Sequence, residues 1–376
     1  MRYICWSLWL LWSGIGPALA EDPLEALHVP AGFSVSVFAE IPRVRQLASS
    51  PTGLVFAGTR GDRVYALADA DHDGVAEAVR VVAQNLDSPA GIAWHDDALY
   101  VSEVTRVTRW SLAESSSATP TVLMTDLPEQ RGHAFRPLRF GPDGALYLAV
   151  GVPCNICAPE SPFGEILRLA PGAARPTTWA RGIRNAVGLA WHPRTHELWF
   201  TDNGRDWLGD DIPACELNRA TGEGLHFGYP YRHGAKVRDP EFGEAAPEGL
   251  AFTPPALELG AHVAPLGLAF HPGTGWPAEY AGNLFVAEHG SWNRSRKSGY
   301  RVRRVVLDAT GTRVVAHEDF LTGWLQGESV SGRPTDVLVM ADGALLISDD
   351  DAGRIYRVQW TAGAADVAQV NPANRP

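Results

Sequence analysis

One short phrase recurs six times along the chain, and it constrains the fold more than any other feature of the sequence. Each copy opens on a small residue or proline, runs through an alternating apolar stretch, turns, and re-enters a second apolar stretch. The copies are PTGLVFA at 51–57; PAGIAWH at 89–95 with LYV at 99–101; PLRFGPDG at 137–144 with LYL at 146–148; VGLAWHP at 187–193 with LWF at 198–200; PLGLAFHP at 265–272 with LFV at 284–286; and PTDVLV at 334–339 with LLIS at 345–348. Period-2 alternation broken by turn residues is the pattern of a β-hairpin, and several copies continue into a third strand, at 165–169, 300–307 and 354–358. No stretch of similar length carries a 3.6-residue hydrophobic period. Sheets that cannot bury their own faces must stack on their neighbours, so the expected fold is all-β, a six-bladed β-propeller.

The 38 glycines and 28 prolines, more than one residue in six, supply the turns that so many short strands need. The stretch GFSVSVF at 32–38 alternates cleanly but has no partner nearby, and it is expected to pair with strands after Arg354 and close the ring. With no Ser/Gly-rich or Pro-rich linker, residues 21–376 read as a single domain. The repeat averages about 59 residues, above the ~40–50 of compact propeller repeats. The excess is assigned to 203–255, 273–283 and 309–331, long loops of the kind that usually carry function.

Thirty-two basic against 43 acidic residues give a formal charge of −11, which argues against nucleic acid as a partner. Residues 1–20 read as an export signal, with Arg2, an apolar run over 4–12 and an Ala18-Leu19-Ala20 cleavage site. The apolar run is shorter than the ~20 residues of a membrane span. The expectation is a periplasmic or secreted protein that is not membrane-embedded. After the signal, Cys154, Cys157 and Cys215 remain. The pair in Cys154-Asn155-Ile156-Cys157 has three readings: a local disulfide, a redox pair or half a zinc site. The disulfide is favoured, with Cys215 a buried free thiol.

In a propeller, polar groups just before or after the repeated strands converge on the mouth of the central channel. Five clusters sit there. In Arg131-Gly132-His133-Ala134-Phe135-Arg136, His133 is a candidate general base. In Arg181-Gly182-Ile183-Arg184-Asn185-Ala186, Arg184 offers a planar fork and Asn185 both a donor and an acceptor. The run from Thr201 to Asp211 is rich in the oxygens that hard cations take. The others are Glu288-His289-Gly290-Ser291-Trp292-Asn293-Arg294 and Gly332-Arg333-Pro334-Thr335-Asp336.

The phrases RGIRNAVGLAWHP, ELWFTDNGRDWLGDD, EHGSWNRSRKSGYRV and GRPTDV, in this order, resemble the glucose/sorbosone dehydrogenase family over about residues 28–360. That family is a six-bladed propeller that holds pyrroloquinoline quinone (PQQ) and Ca²⁺ over the channel mouth and oxidises sugars. The resemblance implies His133 as the catalytic base and Arg184 as the group that steadies charge on the reduced cofactor. It implies Asn185, Asn203, His289, Arg333 and Thr335 as cofactor-binding positions. It also implies the carbonyls of Gly204 and Arg205, with Asp211, around the metal. The partners it implies are a small sugar and an external electron acceptor. Three positions depart from the glucose oxidisers: Gly132 replaces an Asp before the base, Leu86-Asp87-Ser88 stands where a Gln is found, and His289 replaces a Lys.

Asp69-Ala70-Asp71-His72-Asp73-Gly74 with Glu77 has the opening of a calcium loop, but Arg80 at the twelfth position excludes an EF-hand. It reads as a surface turn or a second, structural Ca²⁺ site. Two functional rivals stand beside the sugar oxidoreductase: a Ca²⁺-dependent lactonase with an acid-rich centre, and a binding propeller without catalysis.

Overall fold

The computed structural model describes residues 24–111 and 120–361. The expected export signal at 1–20 lies outside them. The described chain is almost wholly β: six sheets stand in a ring as a six-bladed propeller, and its only helices are the short 3-10 turns Gly243–Ala245 and Ala278–Tyr280. Blade 1 comprises Val44–Ser49, Val55–Thr59, Val64–Ala68 and Ala78–Ala83, and blade 2 Gly91–His95, Ala98–Ser102, Val107–Ser111 and Thr121–Met124. Blade 3 is Leu138–Phe140, Leu146–Val150, Glu165–Leu169 and Thr177–Arg181; blade 4 is Leu189–Trp191, Leu198–Asp202, Ala214–Ala220 and Leu257–Ala261. Blade 5 is Pro265–Phe270, Leu284–Glu288, Arg301–Leu307 and Val314–Leu321. Blade 6 takes Pro334–Val339, Leu345–Asp349 and Arg354–Trp360 from the end of the chain and its outer strand, Phe33–Glu40, from the beginning. That antiparallel pairing, from Phe33 opposite Trp360 to Glu40 opposite Arg354, is the ring closure the alternation predicts.

The apolar core lies between blades. Each of six buried clusters is shared by two neighbouring sheets: Phe56, Ile92 and Val101 join blades 1 and 2, Val107 and Leu148 blades 2 and 3, and Phe200 and Trp179 blades 3 and 4. Trp199 and Val286 join blades 4 and 5, Phe285 and Ile347 blades 5 and 6, and Leu47 and Leu346 blades 6 and 1. The hub is polar by contrast. Hydroxyls at the ends of second strands donate to the innermost backbone of the next blade: Ser102 to Arg136 O (2.5 Å), Thr201 to Leu266 O (2.7 Å) and Ser348 to Arg45 O (2.7 Å). Glycine at the repeated inner-strand position is what this closeness needs. A Cβ at Gly91 would stand 2.1 Å from Arg136 O, and one at Gly188 2.1 Å from Leu266 O.

Two of the segments read as long loops are partly strands. Segment 309–331 contains the fourth strand of blade 5 and the small hairpin Leu325–Gln326/Ser329–Val330. Segment 203–255 contains the third strand of blade 4, then Leu225–His226 laid parallel on the outside of blade 3, then the hairpin Arg232–His233/Val237–Arg238. These strands are two-residue pieces or mixed polar sequence, such as the buried Glu216 and Asn218 of the third strand of blade 4, and carry no clear apolar alternation.

Phe33 fastens the ring by edge-on contacts to Trp276, Tyr280, Phe320 and Trp360, with centroids 4.6–5.1 Å apart. Phe33→Ala should cost about 3–5 kcal/mol by denaturant unfolding. Val79→Thr, on the half-exposed outer strand of blade 1, should stay within about 0.5 kcal/mol.

Candidate functional site

Alternating strand direction brings the starts of the inner strands and the ends of the second strands to one face of the ring. There they surround a cavity of about 590 Å³. Its wall takes Arg43, Arg45 and Arg60 from blade 1, the segment 86–88 ahead of blade 2, and Arg131 and His133–Phe135 ahead of blade 3. Arg184, Asn185, Asn203, Gly204 and Asp206 come from blade 4, His289, Gly290 and Trp292 from blade 5, and Arg333 from blade 6. Six guanidinium groups therefore line one cavity of a chain whose formal charge is −11. Of its carboxylates, Asp87 is held by Arg131 (2.9 Å) and Asp206 by Arg184 (3.3 Å).

His133 stands at φ +51° and its ring Nδ1 lies 2.8 Å from Val152 O. Nδ1–H donating to that carbonyl leaves Nε2 as a lone-pair acceptor. Burial first, then the charge of Arg184, lowers the His133 pKa to about 4, so the ring is a neutral base at pH 7. Val152 couples the base to its neighbour, because its N–H donates to Arg184 O (2.9 Å). A Cβ at Gly151 would fall 2.7 Å from His133 Cβ and 2.8 Å from Asn185 Oδ1, so glycine there preserves the gap between them. Gly132 has a similar reason: a Cβ would stand 2.8 Å from Pro153 O, which excludes the Asp found there in glucose oxidisers.

Arg184 is buried and fixed on all sides. Its Nε–H donates to Asn155 O (2.9 Å), Nη2–H to Asn155 Oδ1 (2.9 Å), and Nη1–H to Asn203 O (3.2 Å). Behind it, the buried Asp202 carboxylate accepts the N–H groups of Arg184 (2.9 Å) and Asn185 (2.6 Å), while burial raises its pKa. Asn185 Oδ1 is buried in the cavity wall with no hydrogen-bond partner. An orphaned buried acceptor of this kind calls for a ligand donor. The bonds that tie down the Asn203–Asp206 turn fall on Asn203 and Asp206 and leave out the carbonyls of Gly204 and Arg205.

The cavity thus brings together His133, Arg184, Asn185, Asn203, Gly204, His289 and Arg333. Two expected positions, Asp211 and Thr335, fall elsewhere, as does the side chain, though not the expected carbonyl, of Arg205. Asp211 is 86 % exposed and pairs with Arg294 (3.0 Å), away from the cavity wall. Thr335 is buried in the hub below, bonding Ser348 Oγ (2.7 Å). The Arg205 side chain points into the blade 4 insertion, where Nη1 meets Asp239 (2.5 Å), itself bonded to His233 (2.8 Å). Only the Arg205 carbonyl remains available to a metal. His289 is present but not as a cation: burial lowers its pKa to about 4, and its Nε2–H donates to Asp350 (2.7 Å). Burial works against the Asp350 carboxylate, yet His289 and Arg45 hold it well below the usual carboxylate range.

Arg43, Arg45, Arg60 and Asn155 were not found from sequence. Arg60 follows the second strand of blade 1, where the positional rule applies, whereas Arg43 and Arg45 belong to the start of the inner strand Val44–Ser49, which the repeated phrase did not reveal. Arg45 lies 3.8 Å over the Phe135 ring and pairs with Asp350 (2.5 Å). Cys154 and Cys157 form a disulfide, and Cys215 is a buried free thiol beside the cavity. The oxygens of Asp69, Asp71, Asp73 and Glu77 gather within 4.8 Å of one another at the other end of blade 1, each accepting a backbone N–H.

A cationic cavity holding a neutral histidine at one mouth of a propeller hub is a site of the kind that binds a small anionic molecule. The sequence profile of the glucose/sorbosone dehydrogenase family matches residues 95–357, and the chain belongs to that family. It is 33% identical to an uncharacterised protein of Borreliella burgdorferi over 91% of this chain and 93% of that one. The fold is similar to the calcium structure of the family AA12 carbohydrate-active enzyme of Trichoderma reesei (TM-score 0.77, 20% identity, 92% of this chain and 99% of that one). It is also similar to the holo form of the PQQ domain of pyranose dehydrogenase from Coprinopsis cinerea (TM-score 0.73, 20% identity, 89% and 97%). Family membership supports an oxidoreductase acting on sugars. No helix among the described residues is long and apolar enough to cross a membrane.

In the cofactor-free protein the His133 ring should titrate near 4 by NMR of its C–H protons, losing its free Nε2 only as pH falls through that value. A pKa near 6.5 would show that the ring is neither desolvated nor beside Arg184.

Proposed function

We propose that the protein is a PQQ- and Ca²⁺-dependent sugar dehydrogenase of the periplasm or extracellular space, passing electrons to an external acceptor. The observation that carries this reading is the crowd of guanidinium groups around one cavity together with the unpartnered Asn185 Oδ1. A flat quinone bearing three carboxylates and a pyrrole N–H answers both, with anions for the arginines and a donor for Asn185 Oδ1. Arg45, Arg60 and Arg333 would hold its carboxylates, and the neutral His289 would donate no charge. The carbonyls of Gly204 and Arg205 are hard oxygens suited to Ca²⁺. When bound, PQQ supplies the two-electron acceptor that no side chain can provide.

This chain's own residues do the rest. His133 Nε2 takes the proton from the sugar hydroxyl as that carbon is oxidised, and Nδ1–H on Val152 O fixes the ring for the task. Arg184, held rigid by Asn155 and Asn203, keeps positive charge beside His133 and disfavours premature protonation of the base. The acid-rich centre that a lactonase would need is not what lines this cavity, where Asp87 and Asp206 are each tied to an arginine. The disulfide fits an oxidising compartment.

The test adds PQQ and Ca²⁺ to the metal-free protein and follows quinone absorbance, then dye reduction with a panel of aldoses and polyols. Saturable uptake and sugar-dependent reduction are expected. His133→Ala should lower kcat by about 10²–10⁴-fold while leaving quinone uptake close to wild type. A folded protein that takes up no quinone would end the proposal.

A further inference from the structure

The loop closed by Cys154 and Cys157 holds one residue, Asn155, that touches both halves of the site at once. Its backbone carbonyl and Oδ1 accept two N–H groups of Arg184, each at 2.9 Å. The same Oδ1 accepts the Asp206 N–H (2.7 Å), and Nδ2–H donates back to Asp206 O (3.1 Å). One side-chain amide therefore makes a two-way clasp on the turn that carries Gly204 and Arg205, while the same residue orients the guanidinium beside His133. The loop is itself anchored: the Tyr229 hydroxyl accepts the Cys157 N–H (2.9 Å) and lies 3.4 Å from Cys154 Sγ. With the disulfide closed and Tyr229 behind it, Asn155 has little freedom to leave its partners.

We propose that Asn155 is a positioning residue that fixes Arg184 and the Asn203–Asp206 turn relative to each other, and that the Cys154–Cys157 disulfide holds it in place for that role. The inference deepens the functional reading above where it concerns quinone affinity, but its geometric part stands on the cofactor-free protein. No other residue among those described bonds both Asp206 backbone groups and the Arg184 side chain. An alanine at 155 retains the carbonyl for Nε–H but removes three of the four bonds. The guanidinium then keeps Asp206 and Asn203 O as partners without the fork that aims it. A shell of this kind typically changes affinity by about 10–100-fold when removed.

The experiment uses the full chain with Asn155→Ala, Cys154→Ser/Cys157→Ser, Arg184→Ala and the combination of Asn155→Ala with Arg184→Ala. Two readouts are taken: quinone affinity by absorbance titration in saturating Ca²⁺, and the His133 pKa by NMR without cofactor. Asn155→Ala should weaken PQQ about tenfold or more. It should weaken it less in the Arg184→Ala background, because only the part carried by the two bonds to Asp206 is then left to lose. It should also raise the His133 pKa as the guanidinium loses its station. The double serine variant should shift both readouts in the same direction, and it decides the matter if the alanine variant does not fold. Unchanged PQQ affinity and an unchanged His133 pKa in a folded Asn155→Ala protein overturn the inference while leaving the sugar dehydrogenase reading intact. If the wild type binds no PQQ, that reading falls, and the His133 pKa alone then judges the role of Asn155.

Discussion

Apolar burial between neighbouring sheets is the constraint from which the rest of this structure follows. Each of the six buried clusters draws on two blades, and a single sheet of three or four short strands has too little area to hold itself together. A row of such sheets leaves two unburied faces, and closing the row into a ring removes both. The closure falls to Phe33–Glu40, which has no local partner and pairs with the last strand of the chain. The hub is then a consequence, because six inner strands must approach one another. Glycine at the crowded position and hydroxyls that satisfy the neighbouring backbone make that approach possible.

The ring also sorts the chain's polarity between two mouths. One collects the arginines, His133 and His289; the other is an aromatic funnel lined by Trp94, Phe140, Trp191 and Phe270. These aromatic residues end the inner strands, whereas the cationic ones lie near inner-strand starts or, like Arg60, just past a second strand, so alternating strand direction makes both faces. In an acidic chain this concentrates positive charge where a polyanion can be held and leaves the exterior net negative. The same crowding explains the base. Burial beside Arg184 keeps His133 neutral, the state that the proposed role of proton acceptor requires at pH 7.

Much of this could be read from sequence because period-2 alternation and strict positional repetition are local properties. Five of the six hairpins, the closing strand, and the third strands at 165–169, 300–307 and 354–358 were legible, the last two within one or two residues of their observed bounds. The copy at 51–57 proved instead to be the turn and second strand of blade 1, whose inner strand Val44–Ser49 lacks the phrase. The site was legible only in part. Arg184, Asn185 and Gly204 sit on rigid strand ends, whose direction the repeat dictates. Asp211 lies off the cavity wall because side-chain direction in an exposed turn is not periodic, and Thr335 because it sits within the inner strand of blade 6, at a register shift between Pro334 and Asp336, bonded to Ser348 in the hub. The neutrality of His289 could not be read because it comes from burial, which outweighs the opposing pull of Asp350 sixty-one positions away. Asn155 was visible only as the filling of a cysteine pair, since its partners lie in two other segments of chain.

The central claim is that the arginine-lined mouth is a seat for an anionic quinone, with His133 and Arg184 on the wall around it. A crystal structure of the protein soaked with PQQ and Ca²⁺ tests it most directly. The account predicts planar density in this cavity, its carboxylates on Arg45, Arg60 or Arg333, a donor against Asn185 Oδ1, and a cation on the Gly204 carbonyl. Density at the aromatic mouth, or an empty cationic one under saturating quinone, would contradict it.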